Sequence, residues 1–274
     1  MPVGTCPMCL QERPLLDSHF VSDAIYKLVG TQKFEPVRVT QKGIFPTRKQ
    51  MHHYLLCADC EERLSREGEN WIIPLLSRVG GPFLLRDRLL FQPPVFQNEI
   101  GAIFVGADNP EIEVPKLIHF ALGIFFKGAV HSWQKDDSEP WIRLEPADVE
   151  SLRLYLRGEA KLPSHIALEV TVDSSPIVWP AIRMPWRGCE DRFANYCLYV
   201  PGVLFNLYVG SGAQETLKAG CINGIQLAPI MAKPIAKEMR EVFREDAKGP
   251  HRSAKLVKQS ADIEELGLGI KLGD

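Results

Sequence analysis

Cys57-Ala-Asp-Cys60 closes the run His52-His53-Tyr54-Leu55-Leu56 and repeats the spacing of Cys6-Pro-Met-Cys9 near the start of the chain. Two residues between cysteines let both thiolates reach one ion from a tight turn, and two such turns complete a tetrahedral shell. Thiolates are soft ligands and d10 zinc accepts a tetrahedron without penalty, so Zn2+ is the ion expected at Cys6, Cys9, Cys57 and Cys60. Two blander readings are four unrelated buried cysteines and a set of redox couples. A redox pair sits between a strand and a helix of a βαβ unit, a setting that two pairs in a short N-terminal segment fit poorly.

The pairs are separated by residues 10–56, which is 47 residues, against about 15 to 20 in a plain zinc ribbon. Something further is therefore built inside the clip. Leu15-Leu16-Asp17-Ser18-His19-Phe20-Val21 reads as a short strand, and Ser22 as the cap of a helix carrying Ala24, Ile25 and Leu28. Residues 37–48 are polar with Gly43 and Pro46, and are expected to be a loop. Residues 52–56 predict a second strand. The polar run Cys57-Ala-Asp-Cys60-Glu61-Glu62-Arg63-Leu64-Ser65 has no β-branched residue and predicts a helix opening at the second pair.

A CxxC turn, a strand carrying a histidine, a second strand and a CxxC that opens a helix follow one another in the order that resembles the treble-clef form of the HNH, or ββα-metal, nucleases. The resemblance covers about the first 70 residues and rests on Cys6, Cys9, His19, Cys57 and Cys60. It implies a structural zinc at the cysteines and a catalytic Mg2+ or Mn2+. It further implies a nucleic-acid substrate, DNA in the first place, with defence against foreign DNA as the role. Within it, His19 matches the general base, and an imidazole with its ordinary pKa near 6.5 accepts a proton at neutral pH without tuning. The family's cation ligands correspond to Ser18 and Glu61. A carboxylate suits Mg2+, whereas Ser18 departs from the Asp or His usual there; Asp17, Glu62, Ser65 and Glu69 are the possible substitutes. The residue that orients the base falls at His52 or His53, of which His53 is preferred. Neighbours on a strand face opposite ways, so only one of the two belongs to the site. Each residue also has a structural reading: His19 as a core histidine bonded to a carbonyl, Glu61 as a partner of the helix dipole.

Outside the clip, Gly80-Gly81-Pro82 predicts a boundary between a zinc block, residues 1–80, and an α+β region, residues 81–274. Leu117, Phe120, Ile124 and Gly128 form the stripe of a core helix over residues 114–131, and residues 147–157 repeat that pattern up to Gly158. Strands are expected at 166–172, 177–183, 196–200, 203–209 and 222–227, with Pro201-Gly202 as a hairpin turn, and a last helix near Pro234. This region would select substrate, bind a protein partner or second copy, or restrain activity.

The 274 residues are 45% hydrophobic and 24% charged, which excludes a disordered or fibrous chain. A net charge of −2 excludes nucleic-acid binding through overall positive charge. Locally, Arg183, Trp186, Arg187, Arg192 and Phe193 interleave cations with aromatics, and residues 233–258 hold eight Lys or Arg against four Asp or Glu. Both are read first as a packed tryptophan and a solvated helix face. Seven cysteines without an export signal point to a reducing, cytoplasmic setting, with Cys189, Cys197 and Cys221 as buried core thiols. No apolar run reaches the roughly 18 residues of a membrane helix.

Overall fold

The computed structural model describes residues 1–30, 37–40, 43–46, 50–133, 142–188, 192–224 and 226–246. In the first block β1 (Val3–Thr5), β2 (Glu12–His19) and β5 (His52–Cys57) form an antiparallel sheet in the order β1-β2-β5. Between β2 and β5 lie α1 (Asp23–Val29) and a two-stranded ribbon of β3 (Val37–Thr40) and β4 (Gly43–Pro46). The ribbon corrects the expectation of a loop across residues 37–48: Val37-Arg-Val-Thr40 alternates as a strand does, and Gly43 opens the returning strand. From the second cysteine pair the chain turns helical. It runs as α2 (Ala58–Leu64), a π-helical turn (Ser65–Glu69), α3 (Asn70–Ile72) and a 3-10 turn (Ile73–Leu75).

The remainder is α4 (Leu84–Leu90), β6 (Phe96–Gln97), β7 (Ala102–Val105), α5 (Val114–Val130), α6 (Pro146–Leu156), β8 (Ile166–Asp173), β9 (Arg183–Arg187), β10 (Ala194–Val200), β11 (Val203–Val209), α7 (Ala213–Leu217), β12 (Pro229–Lys233) and α8 (Ala236–Asp246). Its strands make one seven-stranded sheet in the order β6-β7-β12-β8-β11-β10-β9. All pairings are antiparallel except β12 with β8. The architecture is thus α+β, as expected. Pro201-Gly202 makes the predicted hairpin between β10 and β11, where Gly202 adopts φ +88, a conformation that glycine reaches without steric cost. Two expected strands are corrected. Residues 177–182 are not a strand, since Pro176 and Pro180 remove ladder donors, and β9 starts only at Arg183. Among the described residues of 222–227 there is a turn, with Cys221 forming an isolated bridge to Glu169.

α5 decides how the parts are joined. Every residue from Leu117 to Gly128 is buried, the pattern of a helix enclosed on all sides. On one side it meets α2 and the π turn, through Gly123 against Leu64 and Gly68 against Phe120. On the other, the Phe120 ring packs edge-on to Phe205 of β11, with centroids 5.9 Å apart. Residues on both sides of Gly80-Gly81-Pro82 share one buried cluster that includes Cys6, Phe20, Leu64, Leu122, Phe125, Val170 and Phe205. The opposite sheet face is covered by α7 over Ala167 and Tyr208, and by Ile235 and Met239 at the start of α8 over Tyr199 and Leu204. Cys197 and Cys221 are buried thiols, and Cys189 lies outside the described residues. No helix among the described residues is long and apolar enough to cross a membrane.

Candidate metal centre and histidine face

The turn Cys6-Pro-Met-Cys9-Leu10 is closed by Leu10 N–H donating to the Cys6 carbonyl at 2.8 Å, and Cys6 N–H donates to the Gln11 carbonyl at 3.0 Å. The second pair spans the junction of β5 and α2, with Cys57 as the residue before the helix. The sheet brings the two pairs together, and the four sulfurs all lie within 4.8 Å of one another. Cys9 and Cys57 sulfurs are 3.7 Å apart, matching the edge of about 3.8 Å that a tetrahedron with 2.3 Å zinc–sulfur bonds requires. A four-thiolate set at this spacing fits a metal ion such as zinc.

Electrostatics agree with that use. The Cys6 thiol is pulled down to about 4, first by a hydrogen bond from the Cys60 thiol and then by main-chain N–H groups of Cys57, Cys9 and Met8. The same bond and burial push Cys60 up. One sulfur is thus a thiolate held by its neighbours' protons, and a divalent cation replaces those protons. Arg153 of α6, largely buried, donates to the Met8 carbonyl at 3.0 Å and so grips the first turn from outside the clip.

Leu10 adopts φ +60 while its side chain is exposed. A left-handed non-glycine residue costs about 1–2 kcal/mol, and a glycine gives back about half of that as added freedom of the unfolded chain. Leu10→Gly is therefore expected to raise stability by roughly 0.5–1 kcal/mol, measured by urea unfolding of the metal-loaded chain.

The β2–β5 register sorts the histidines. His19 lies opposite His52, Ser18 opposite His53, and Asp17 opposite Tyr54. Directly opposed residues share a face and neighbours do not, so Asp17, His19 and His52 are on one face and Ser18 and His53 on the other. His52 Nδ1 is 2.8 Å from Asp17 Oδ1, and the His52 ring centroid is 5.9 Å from that of His19. The preference for His53 is corrected: it stacks on His131 at 4.0 Å and 18°, and His131 meets Trp133 edge-on at 5.3 Å. Burial, with the nearby His53 charge, holds His131 below its ordinary pKa. Ser18 is corrected as well. Its buried hydroxyl donates to the Leu16 carbonyl at 3.4 Å and accepts from Leu56 N–H at 3.1 Å, which ties β2 to β5 and leaves it facing away from His19.

Glu61 sits in the first turn of α2, and its Oε1 is buried without a hydrogen-bond partner. That orphaned oxygen is an acceptor site a cation would fill. Among the described residues, the four cysteines are the one group of three or more His, Cys, Asp or Glu placed closely enough to hold an ion. No second group of three such side chains is assembled among the described residues. The arginine-aromatic segment is packed: Arg183 lies 3.9 Å over the Trp186 ring, and Phe193 is buried beneath α7. Sequence reasoning missed Lys127 and Arg153, two cations on buried helix faces that bind carbonyls of the zinc block. A lysine inside an otherwise apolar helix was the available signal, because a buried ammonium demands partners.

Comparison of the chain with family models, curated proteins and solved structures finds no match.

Proposed function

We propose that this chain is a zinc-stapled, metal-dependent nuclease of the HNH type, its N-terminal block a treble clef and its substrate nucleic acid, DNA in the first place. The observation that carries the reading is the pair of His19 and His52 on one face of the clipped hairpin, with Asp17 bonded to His52. The proposed base is His19, which takes a proton from the attacking water. His52 replaces His53 as its companion: Asp17 holds its Nδ1 at 2.8 Å, which leaves the other ring nitrogen of this half-exposed side chain free to meet a phosphate oxygen. Glu61, through its orphaned oxygen, is the proposed protein ligand of Mg2+ or Mn2+, which when bound neutralises charge on the phosphate. When bound, such an ion would take its other ligands from water and the phosphate, which suits Mg2+ because it sheds water reluctantly. A reducing, cytoplasmic setting keeps the four thiols available for zinc.

The test is nicking of supercoiled plasmid with Mg2+ or Mn2+. Wild type is expected to nick, and His19→Ala to lose about 100- to 10,000-fold in rate, while His53→Ala retains activity. Unimpaired nicking by His19→Ala, or a wild type inert with both cations, overturns the proposal. DNA retention without cutting by both proteins identifies instead a zinc-clip module that binds nucleic acid, for which the shortage of preassembled cation ligands speaks.

A further inference from the structure

Lys127 lies on α5, outside the cysteine clip, and its side chain is 2% exposed. Its Nζ donates to the main-chain carbonyl of His19 at 2.8 Å and lies 3.8 Å from Glu69 Oε1, at the end of the π turn. A buried ammonium is tolerated only where partners repay its lost hydration, and here both partners belong to the zinc block. The lysine is itself braced. Trp133 Nε1 donates to the Lys127 carbonyl at 2.8 Å, and its ring packs edge-on to Phe20, the residue after His19, at 5.0 Å.

We infer that Lys127 is a positioning residue of the His19 site: its ammonium ties the His19 main chain to Glu69, so that α5 fixes where the imidazole stands. The inference rests on the nuclease reading for its catalytic consequence, but the clamp itself does not. His19 is the last residue of β2; Phe20 N–H carries the pairing one step further by donating to the Met51 carbonyl at 2.9 Å, and the clamp adds a hold on the His19 carbonyl from the α5 side. It also explains the π turn. The extra residue per turn sets Glu69 toward Lys127 while Gly68 lies against the α5 backbone, and such turns often mark functional sites.

The test compares wild type with Lys127→Met, Lys127→Arg and Glu69→Gln, all loaded with zinc. The readouts are plasmid nicking and the NMR resonances of the His19 main chain and ring, with His165, whose partner is Asp148, as the internal reference. Removing the ammonium or the carboxylate is expected to displace the His19 resonances, while those of His165 stay put. Nicking by Lys127→Met is expected to fall about 100-fold in kcat with KM unchanged, the scale of a roughly 1 Å misplacement, and Lys127→Arg to recover part of it. Should Lys127→Met fail to fold, Glu69→Gln decides alone through its displaced His19 resonances and reduced kcat. Unmoved His19 resonances with unchanged nicking in the folded variants overturn the inference. Displaced His19 resonances in a chain whose wild type never nicks uphold the clamp and sink the nuclease reading alone.

Discussion

Cys57→Ser is expected to lower the stability of the whole chain sharply, and chelation of the metal to do the same to the wild type. Cys57 is buried, its sulfur is 3.7 Å from Cys9, and its N–H donates to the Cys6 sulfur at 3.4 Å. Serine keeps the shape but binds zinc poorly, because the soft metal prefers sulfur. What remains is a buried Cys6 sulfur drawn toward the thiolate by the Cys60 thiol and main-chain N–H groups, with no cation to balance it. Structural zinc contributes about 10–16 kcal/mol of apparent binding free energy in small domains, whereas a whole domain is stable by only about 5–15 kcal/mol. The buried side chains of the first block, Phe20, Leu56 and Leu64 among them, belong to one cluster with α5 and so do not form a separate core that could make up the difference. Elemental analysis should find about one zinc per chain, the stoichiometry of one four-thiolate site. Thermal unfolding should show the transition collapsing on chelation. Because one buried cluster joins the zinc block to α5 and the large sheet, the loss should appear as one transition displaced downward. A metal-free chain with an unchanged transition would show that the four cysteines pack without an ion.

The cysteine spacing and the apolar stripe of α5 were readable because each is a local pattern: a turn motif reports its own geometry, and a 3.6-residue period reports a helix. The choice between His52 and His53 was not. Alternation says that they face apart, but the face reached by His19 depends on the β2–β5 register, which shifts irregularly between Leu15 and Asp17. A one-residue slip exchanges the two histidines, and nothing local records the slip. The ribbon at β3 and β4 was missed for a different reason. Its polar composition outweighed the alternation in Val37-Arg-Val-Thr40, and a two-stranded ribbon needs little core to be seen in the sequence. β12 was equally hidden: a five-residue strand lies between β7 and β8, far from both in the chain. Lys127 is the instructive case. In the sequence it interrupts a greasy helix, and its partners, the carbonyl of His19 more than a hundred residues away and the carboxylate of Glu69, come to it only through the fold.

Gly68→Ala separates local from tertiary reasoning by the sign of its effect. Within a helix, alanine is favoured over glycine by about 1 kcal/mol, so the sequence alone predicts a gain. The structure predicts the reverse. A methyl built on Gly68 would lie 2.8 Å from the Phe120 nitrogen, 2.9 Å from its Cα and 3.0 Å from its Cβ. Two of these are main-chain atoms of a helix buried on all sides, and neither can swing away. The π turn must lift off α5, opening gaps along the seam and drawing Glu69 back from Lys127. Overpacking of this kind costs about 1–3 kcal/mol, occasionally more, and the buried backbone on both sides places Gly68→Ala at the upper end. At roughly 2–4 °C per kcal/mol for a chain of this size, the midpoint should drop by about 6–12 °C. Gly123→Ala is the matched control on the same seam. Its methyl would meet only Leu64 Cδ2 at 3.0 Å, the far end of a flexible side chain, which can turn aside. Its helix-propensity gain should then offset most of the crowding. Equal midpoints for the two variants would mean that α5 and the π turn do not approach backbone to backbone, and the route from α5 to His19 would go with them.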